Sequence, residues 1–364
     1  MQEQITAVAK LFTGEDPVSV RPFGRGHVNE TYLVQRQNGT AVILQKINTK
    51  VFRDPVELTV NAVFVSNYLL HGTSADAPRY LTAGDNKYLV GEHGNYWRAY
   101  EFIGGAHTPK LSGDDAEIEE FGRVLGDFHA RTADFPADKL YFTIPDYHNT
   151  PAHYLDFKSA AEAAPSKLLT TARNEIIFAE KRKSSCSLLF NMELPSRVTH
   201  NDARIENVMF DDDTDKALCL IDYDTLMPGV YAFDFGAAVG SVCFGCDPDE
   251  RDLSKVAFDA VRFERFTRGY LSRAFPELVG DELKSLAMGV RMMSFEAGLG
   301  YLTDYLADMP GPAELSPLHN LVRARVAFTQ CSLAETHYKQ MCQILIRCAK
   351  QAAKAEQPQP DAQA

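Results

Sequence analysis

Residues 199–225 read THNDARIENVMFDDDTDKALCLIDYDT, and this stretch decides how the rest of the chain is interpreted. Asn207 follows Asp202 by five residues, and Asp222 follows Asn207 by fifteen. Phosphoryl-transfer enzymes use this order for a catalytic base and two oxygen ligands to magnesium. The stretch therefore predicts a phosphoryl-transfer site, with Asp202 as base and Asn207 and Asp222 as metal ligands.

Two apolar segments flank the acidic turn inside this stretch. VMF at 208–210 and ALCLI at 217–221 have strand character, and the turn DDDTD at 211–215 is assigned to solvent. An acidic turn beside a strand is the simpler explanation of so many Asp and Asn residues. It does not account for an Asp, Asn and Asp set with apolar strands on both sides of the turn, so a functional site is favoured.

Four further features of this region have candidate roles. Arg204, two residues after the base, is a candidate contact to the transferring phosphoryl group, and Asp224 is a third candidate metal ligand. His200 is expected to brace the loop backbone. Asp234-Phe235-Gly236 spells the metal-binding signature of protein kinases, but it starts 32 residues after the proposed base, whereas Asp222 has the closer spacing. Asp234 is therefore interpreted as a structural carboxylate that supports the catalytic loop.

Length and composition limit the class of protein that carries this stretch. With 364 residues the chain exceeds the size of one economical hydrophobic core, so two lobes are expected. A net charge of −12 disfavours nucleic acid and anionic membranes as partners. Apolar runs are too short to span a membrane, and seven scattered cysteines suit a reducing compartment. A cytoplasmic protein is expected, and its oligomeric state is left open.

The first hundred residues have the pattern of an antiparallel sheet. Strand character at 18–23, 28–35 and 40–47 is interrupted at the Gly24 turn and at Asn38-Gly39. Asn-Gly favours a type I′ hairpin, because both residues tolerate a positive φ angle. A small, sheet-rich N-terminal lobe is therefore predicted.

Several residues of this lobe are candidates for binding a nucleotide. Glycines 24 and 26 lack Cβ atoms, which lets backbone N–H groups approach phosphate oxygens. Lys46, at the end of the third strand, is where kinase-type lobes place the charge that holds the α- and β-phosphates, although an exposed strand lysine is equally consistent. Gly104-Gly105, after a strand at 96–103, predicts a hinge whose preceding backbone groups bind an adenine edge. The candidates are Gly24, Arg25, Gly26, His27, Lys46, Glu101 and Ile103.

A helix is predicted between the third strand and the hinge. Pro55 suits a first helical position, and the helix is expected to reach about Leu70. Glu57 is a candidate ion-pair partner for Lys46. The face expected to pack on the sheet consists of Val56, Val60 and Val63.

Beyond the hinge the chain has helical periodicity. Ser112 and Asp115 resemble a capping pair for an amphipathic helix over 114–131. Further helices are predicted at 166–184, 252–273, 281–307 and 317–350. The polar, proline-containing end of the chain is predicted to be disordered. The predicted division is into a sheet-rich N-lobe, a larger, mainly helical C-lobe and a tail, at 1–104, 105–350 and 351–364.

The pattern HNDxxxxN followed by IDxDT resembles the aminoglycoside phosphotransferase and choline kinase superfamily. More closely, several segments are similar to bacterial N-acetylhexosamine 1-kinases. They are ILQKIN at 43–48, IPDYHNTPAHYLDF at 144–157, RVTHNDARIENVMFD at 197–211, IDYDTLMPG at 221–229 and YLTDYL at 301–306. The similarity covers nearly the whole chain, and it implies an α+β, two-lobed, protein-kinase-like fold.

The resemblance implies ATP- and Mg²⁺-dependent phosphorylation of the anomeric hydroxyl of a free sugar, such as N-acetylglucosamine or N-acetylgalactosamine. It gives Asp202, Asn207 and Asp222 the same roles as their spacing does. The chain departs from the family at Ala203-Arg204, where Thr-Lys is usual, and at Gly300, where an arginine is expected. Candidates for the acceptor pocket are His148, Asp224, Arg291 and Tyr301.

Three functions stay open at this point. A sugar 1-kinase leads. The second is a kinase of another small hydroxyl compound, such as a neutral hexose, choline, homoserine or an aminoglycoside. The third is a catalytically inert, kinase-like binding module, which is disfavoured because every essential position is present.

Overall fold

The computed structural model describes residues 2–24, 28–71, 77–109, 114–309, 316 and 318–355. The chain divides into two compact units. The sheet unit comprises residues 1–107, 134–145 and 209–228, and the helical unit comprises 108–133, 146–208 and 229–364. The α+β prediction, with an antiparallel sheet in the N-terminal region and helices after it, is confirmed.

Strands and helices are largely separated along the chain: most strands lie in its first part and most helices in its later part. Strands β1–β11 lie at Ser19–Pro22, Glu30–Gln35, Ala41–Lys46, Tyr80–Leu81, Val90–Glu92, Asn95–Glu101, Ala106–His107, Arg197–Thr199, Val208–Asp211, Ala217–Leu220 and Met227–Gly229. Helices α1–α11 lie at Gln2–Thr13, Pro55–Leu70, Asp115–Arg131, Thr150–Ala163, Ser166–Thr171, Arg173–Lys181, Tyr231–Val242, Ala260–Ala274, Glu282–Leu306, His319–Thr336 and Tyr338–Ala355. None of the described helices combines the length and apolarity that a bilayer-spanning segment needs.

The sheet unit is built on one antiparallel sheet. Its strand order is β1-β2-β3-β6-β4, and β5 pairs with β6. Alternate residues of the strands face a core that helix α1 also contacts through Ile5 and Val8. The sequence did not predict α1. A second sheet of the unit has the order β10-β9-β7, which confirms the predicted hairpin on either side of the acidic turn.

The hairpin at Asn38-Gly39 is confirmed, but the type I′ assignment is wrong. Of the two residues only Gly39 has a positive φ, at 84°. The Asn38 side chain instead accepts hydrogen bonds from the backbone N–H of Thr40, at 3.0 Å, and from its hydroxyl, at 2.7 Å. This local bonding gives Asn38 a different turn geometry. Successive positive φ angles occur at His93 and Gly94, 52° and 76°, in the turn between β5 and β6.

Helix α2 begins and ends as predicted, but its inward face differs. Asp54 caps the helix, because its side chain accepts hydrogen bonds from the first turn. Val63 is buried as expected, whereas Val56 and Val60 are 55% and 42% exposed. The helix is apolar on nearly every side, so periodicity could not identify the buried face. That face consists of Leu58, Ala62, Val65 and Leu69.

Several helix boundaries in the helical unit correct the prediction. Helix α3 is capped by Asp114 in a capping box with Glu117, and Ser112 lies outside the described residues. The helix predicted at 252–273 starts only at Ala260. The stretches 166–184 and 317–350 each form two helices, and α11 continues through 351–355, which were predicted to be disordered. Helices α4 and α7 were not predicted.

Helices α7 and α9 cross at two glycines. A Cβ on Gly236 would lie 2.3 Å from the carbonyl oxygen of Gly289, and one on Gly289 would lie 2.0 Å from that of Ala232. Real Cβ atoms do not approach so closely, so both positions require glycine. The crossing holds the N-terminal half of α7, which carries Asp234, against the longest described helix.

Replacing Gly289 with alanine is expected to lower the free energy of unfolding by about 1–3 kcal/mol, because the added methyl group overpacks the crossing. Urea denaturation followed by circular dichroism measures the change. Gly300→Ala is the matched control on the same helix, since the described structure leaves the space around its Cβ open. It should be neutral or stabilise by up to about 1 kcal/mol. Equal losses in the two variants would contradict the crossing.

Candidate functional site

The predicted catalytic loop lies in the helical unit, directly after strand β8. Ala203 and Ile205 are fully buried and anchor the loop. Asp202, just before Ala203, has a side chain that is 28% exposed, and Arg204, between the two anchors, has one that is 52% exposed. The alternation of small or apolar with charged residues therefore sends two charged groups towards solvent from a fixed backbone.

Three predicted site residues of this loop contact one another. The amide nitrogen of Asn207 donates to the backbone carbonyl of Asp202 and to its Oδ2, both at 2.9 Å. Arg204 donates to the same carboxylate from Nε to Oδ1 at 2.8 Å and from Nη2 to Oδ2 at 3.1 Å. The structure thus brings Asp202, Arg204 and Asn207 together. Because the amide nitrogen of Asn207 faces the carboxylate, its amide oxygen is the atom suited to a hard cation.

Asp234 supports this loop, as the sequence interpretation proposed. Its carboxylate is fully buried and accepts the backbone N–H groups of His200, at 2.7 Å, and Asn201, at 2.6 Å. Nε2 of His129 lies 2.9 Å from the same carboxylate. Burial alone would raise the pKa of Asp234, but the hydrogen bond and charge of His129 and the His200 interactions lower it below its ordinary value. An ionised carboxylate therefore fixes the backbone just before Asp202.

The contacts of Asp234 with His129, His200 and Asn201, here called the brace, hold a backbone conformation that few residues adopt. Asn201 has a φ angle of 62°, in the left-handed region. His129 completes the brace, because Tyr270 meets its Nδ1 at 2.8 Å and the ring of Tyr231 stacks on it at 3.9 Å. His129 was not identified from the sequence. Its only sequence signal is a place on the apolar face of α3.

The segment at Asp222 lies in the sheet unit. Asp222 has φ 65° and ψ 67°, again left-handed, and a short 3₁₀ turn follows it. Asp and Asn adopt this region more often than other non-glycine residues, because their short polar side chains form local hydrogen bonds. Asn61 of α2 donates to the carbonyl of Leu226 at 2.8 Å and so anchors the end of the segment. The carboxylate of Asp224 is buried and accepts hydrogen bonds from Arg98 and Asn29, neither of which was identified from the sequence.

Lys46 of β3 forms an ion pair, but with a different partner from the one predicted. Its Nζ lies 2.8 Å from Oε1 of Glu30 on the neighbouring strand, so the pairing with Glu57 is wrong. The hydrogen bond from Lys46, assisted by that from Tyr32, lowers the pKa of Glu30. Cross-strand neighbours decide this pairing, since β2 and β3 place Glu30 opposite Lys46.

The other nucleotide-binding candidates have mixed outcomes. Gly24 has a φ angle of 80°, while Arg25, Gly26 and His27 lie outside the described residues. The backbone N–H of Glu101 donates to the carbonyl of Arg79 at 2.9 Å, so the carbonyl of Glu101 is the group that stays a candidate adenine contact. Ile103 makes no backbone hydrogen bond with the described residues.

Of the acceptor-pocket candidates in the helical unit, His148 lies next to the predicted catalytic loop. Nδ1 of His148 is 2.7 Å from Oε1 of Glu296, and the hydroxyl of Thr150 donates to the other oxygen at 2.6 Å. Burial lowers the pKa of His148, but the hydrogen bond and charge of Glu296 raise it by more. The carbonyl of Asn201 also raises it, so the pKa of His148 lies above its ordinary value.

The structure does not bring Arg291 and Tyr301 together. They lie ten residues apart on α9, or about 15 Å along its axis. Arg291 pairs with Glu335 at 2.9 Å, whereas the ring of Tyr301 lies 5.6 Å below the guanidinium of Arg323. Both side chains therefore have structural partners on α10.

Comparison with known proteins gives the class of this fold and site. A model described as the phosphotransferase enzyme family matches residues 19–274, which is well over half of the chain. The chain belongs to this family, which includes aminoglycoside phosphotransferases and choline kinases. The predicted superfamily is confirmed, while the closer resemblance to N-acetylhexosamine 1-kinases stays a prediction.

Solved structures show the same kinase-like fold. A microcompartment-associated aminopropanol kinase is 19% identical, with a TM-score of 0.60 over 93% of this chain and 98% of that one. An amicoumacin kinase in complex with AMP-PNP, Ca²⁺ and Ami is 14% identical, with a TM-score of 0.64 over 92% and 93%. A choline/ethanolamine kinase family protein from Mesorhizobium loti is 15% identical, with a TM-score of 0.58 over 95% and 99%.

Replacing Asp234 with asparagine is expected to lower the free energy of unfolding by about 3–5 kcal/mol, because a buried, paired charge is lost and an amide N–H₂ faces backbone donors. Chemical denaturation measures the loss. Asp156→Asn, at an exposed position on α4, is the control and should change stability by less than about 0.5 kcal/mol. A small effect at Asp234 would show that the brace is not structural.

Glu296→Gln is expected to make stability more sensitive to acid. The raised pKa of His148 contributes stability that is complete below its unfolded pKa of about 6.5 and is lost as pH rises through the folded value. Removing the carboxylate removes that contribution. The variant should therefore lose more stability at about pH 5.5 than at about pH 8.5, as measured by urea denaturation at both. The opposite order would refute the pairing.

Proposed function

We propose that the protein is an ATP- and Mg²⁺-dependent kinase that phosphorylates the anomeric hydroxyl of a free N-acetylhexosamine to give the sugar 1-phosphate. The observation that supports it most is the braced loop of Asp202, Arg204 and Asn207 in a chain of the phosphotransferase enzyme family. The sugar acceptor rests on the segments shared with N-acetylhexosamine 1-kinases, above all IDYDTLMPG at 221–229. A cytoplasmic location, where ATP is plentiful, goes with this proposal.

Asp202 takes the role of the base in this proposal. It orients the acceptor hydroxyl and accepts its proton as the phosphoryl group arrives. An anomeric hydroxyl is more acidic than an ordinary alcohol, so a carboxylate is an adequate base. Arg204 fixes the plane of that carboxylate and, at 52% exposure, also has room to contact the phosphoryl group.

The metal is assigned to oxygen donors. Among the described residues no group of three His, Cys, Asp or Glu side chains is arranged to hold an ion. Magnesium that shares phosphate oxygens and keeps several waters needs fewer protein ligands, so the amide of Asn207 and the carboxylate of Asp222 are a fitting donor set. When bound, the ion neutralises charge that develops on the β- and γ-phosphate oxygens.

The remaining nucleotide contacts are assigned to the sheet unit. Lys46 takes the α- and β-phosphates, Gly24 to His27 form the phosphate loop, and Ile103 offers backbone groups to adenine. For the acceptor pocket, His148 is the preferred candidate, because the carbonyl of Asn201 beside the base contributes to its raised pKa.

A kinase of an amino alcohol or aminoglycoside is the second candidate. The structures that share the fold include an aminopropanol kinase, an ethanolamine kinase from Plasmodium vivax and a spectinomycin phosphotransferase. Such acceptors are cationic, whereas an N-acetylhexosamine is neutral. The chemical class of the acceptor therefore separates the two proposals.

An ATP-consumption screen is expected to show turnover with N-acetylglucosamine or N-acetylgalactosamine and not with choline, ethanolamine, aminopropanol, homoserine or kanamycin. The product should be an acid-labile 1-phosphate by ³¹P NMR. Asp202→Asn and Asp222→Ala should each lower kcat by about 10²–10⁴-fold while the melting temperature is retained. Asp213→Asn, in the solvent-facing turn, is the control.

Three outcomes count against the proposal. Turnover of a cationic acceptor alone would replace the sugar with an amino alcohol or aminoglycoside. Wild-type-like activity of Asp202→Asn would remove the base assignment. Nucleotide binding without turnover of any acceptor would favour an inert binding module.

A further inference from the structure

A buried polar network surrounds Asp224 in the sheet unit. The carboxylate, in a residue 5% exposed, accepts hydrogen bonds from Nη2 of Arg98 and Nδ2 of Asn29. Arg98, on β6, is 1% exposed, and its Nε and Nη2 donate to Oε1 of Gln45 on β3 at 3.1 and 2.8 Å. The ring of Tyr80 lies 5.7 Å from the guanidinium carbon. Asp224 is therefore held directly by Arg98 of β6 and by Asn29 just before β2, and Gln45 of β3 holds Arg98 in turn.

The network connects the segments to which nucleotide and metal contacts are assigned. Asn29 comes two residues after the proposed phosphate loop, Gly24 to His27. Its Oδ1 also accepts a hydrogen bond from the backbone N–H of Asn48 at 2.9 Å. Asp222, the proposed metal ligand, lies two residues before Asp224 and has a left-handed backbone. A displacement of Asp224 would therefore be passed to Asp222 through only one intervening residue.

Separating the buried charges of Asp224 and Arg98 would be energetically unfavourable. A guanidinium that is almost fully buried needs a carboxylate, because an unpaired buried charge is strongly destabilising. If Asp224 rotated to coordinate a cation, Arg98 would lose that partner and would face the cation at short range. Both effects oppose coordination of a metal by Asp224.

We infer that Arg98 is a positioning residue, which holds Asp224 as an anchor outside the metal coordination sphere and so fixes the conformation of Asp222. The inference rests on the proposed kinase function and refines its metal site. Asp224 then serves neither as a metal ligand nor as an acceptor contact, and Asp222 is the carboxylate ligand of its segment.

The test measures how nucleotide binding depends on Mg²⁺ in the absence of any acceptor. Isothermal titration calorimetry with ATP at several Mg²⁺ concentrations is applied to the wild type, Arg98→Gln, Arg98→Lys, Asp224→Asn and Asp222→Asn. Arg98→Gln should raise the half-saturating Mg²⁺ concentration by about 10–100-fold, the usual effect of losing an outer-sphere partner. Arg98→Lys should have a half-saturating Mg²⁺ concentration between those of Arg98→Gln and the wild type. Lysine keeps the positive charge but lacks the planar guanidinium, which donates several hydrogen bonds in fixed directions.

The two aspartate variants separate an anchor from a ligand. Asp224→Asn should shift the Mg²⁺ dependence in the same direction as Arg98→Gln and still bind Mg²⁺-dependent nucleotide. Asp222→Asn should lose the Mg²⁺ dependence. The matched control is Arg182→Gln, which breaks a partly buried Arg–Glu pair of the helical unit and should leave the Mg²⁺ dependence unchanged.

Two results would overturn the role of Arg98. One is an unchanged Mg²⁺ dependence in folded Arg98→Gln, and the other is an Asp224→Asn variant that loses Mg²⁺-dependent binding as completely as Asp222→Asn. If Arg98→Gln does not fold, Gln45→Met removes only the second acceptor of the guanidinium, and its Mg²⁺ dependence decides in the same way. A wild type without Mg²⁺-dependent nucleotide binding would instead reject the kinase function itself, and Arg98 with it.

Discussion

The predicted catalytic loop depends on the hydrogen bonds of one buried carboxylate, that of Asp234. It accepts two consecutive backbone N–H groups, of His200 and Asn201, and pairs with His129. Burying a carboxylate is costly unless several donors surround it. Those same donors hold Asn201 in its left-handed conformation, so the charge and the strained backbone stabilise each other. The loop can therefore present Asp202 to solvent from a backbone that does not relax.

The tripeptide Asp234-Phe235-Gly236 has the sequence of a kinase metal-binding signature, but its aspartate supports a loop backbone. In the structure it lies inside helix α7, where Phe235 is core and Gly236 permits the crossing with α9. Asp234 lies 32 residues after the proposed base, whereas Asp222 has the spacing closer to the kinase arrangement. For that reason the sequence analysis interpreted Asp234 as structural, and metal binding by Asp222 stays a prediction.

Contacts near in sequence were the more predictable ones. Among contacts distant in sequence, the support of the loop by Asp234 was predicted, whereas the partners of Arg98 and His129 were not. The loop from Asp202 to Asn207, the hairpin that follows and the ends of α2 are set by local spacing and capping. The pairs His129–Asp234 and Arg98–Asp224 join residues 105 and 126 positions apart, and no local pattern encodes them. Lys46 was likewise paired with the wrong glutamate, because the register of β2 on β3 decides its partner.

The hydrogen bonds of Asp202 distinguish its two carboxylate oxygens. Oδ2 accepts from both Arg204 Nη2 and Asn207 Nδ2, whereas Oδ1 accepts only from Arg204 Nε among the described residues. Each carboxylate oxygen has about two acceptor sites, so Oδ1 keeps capacity for one more hydrogen bond. If Asp202 is the base, the acceptor hydroxyl donates to Oδ1, while Oδ2 stays attached to the asparagine assigned to the metal. Arginine at position 204 then orients the base, because its fork holds both oxygens in one plane.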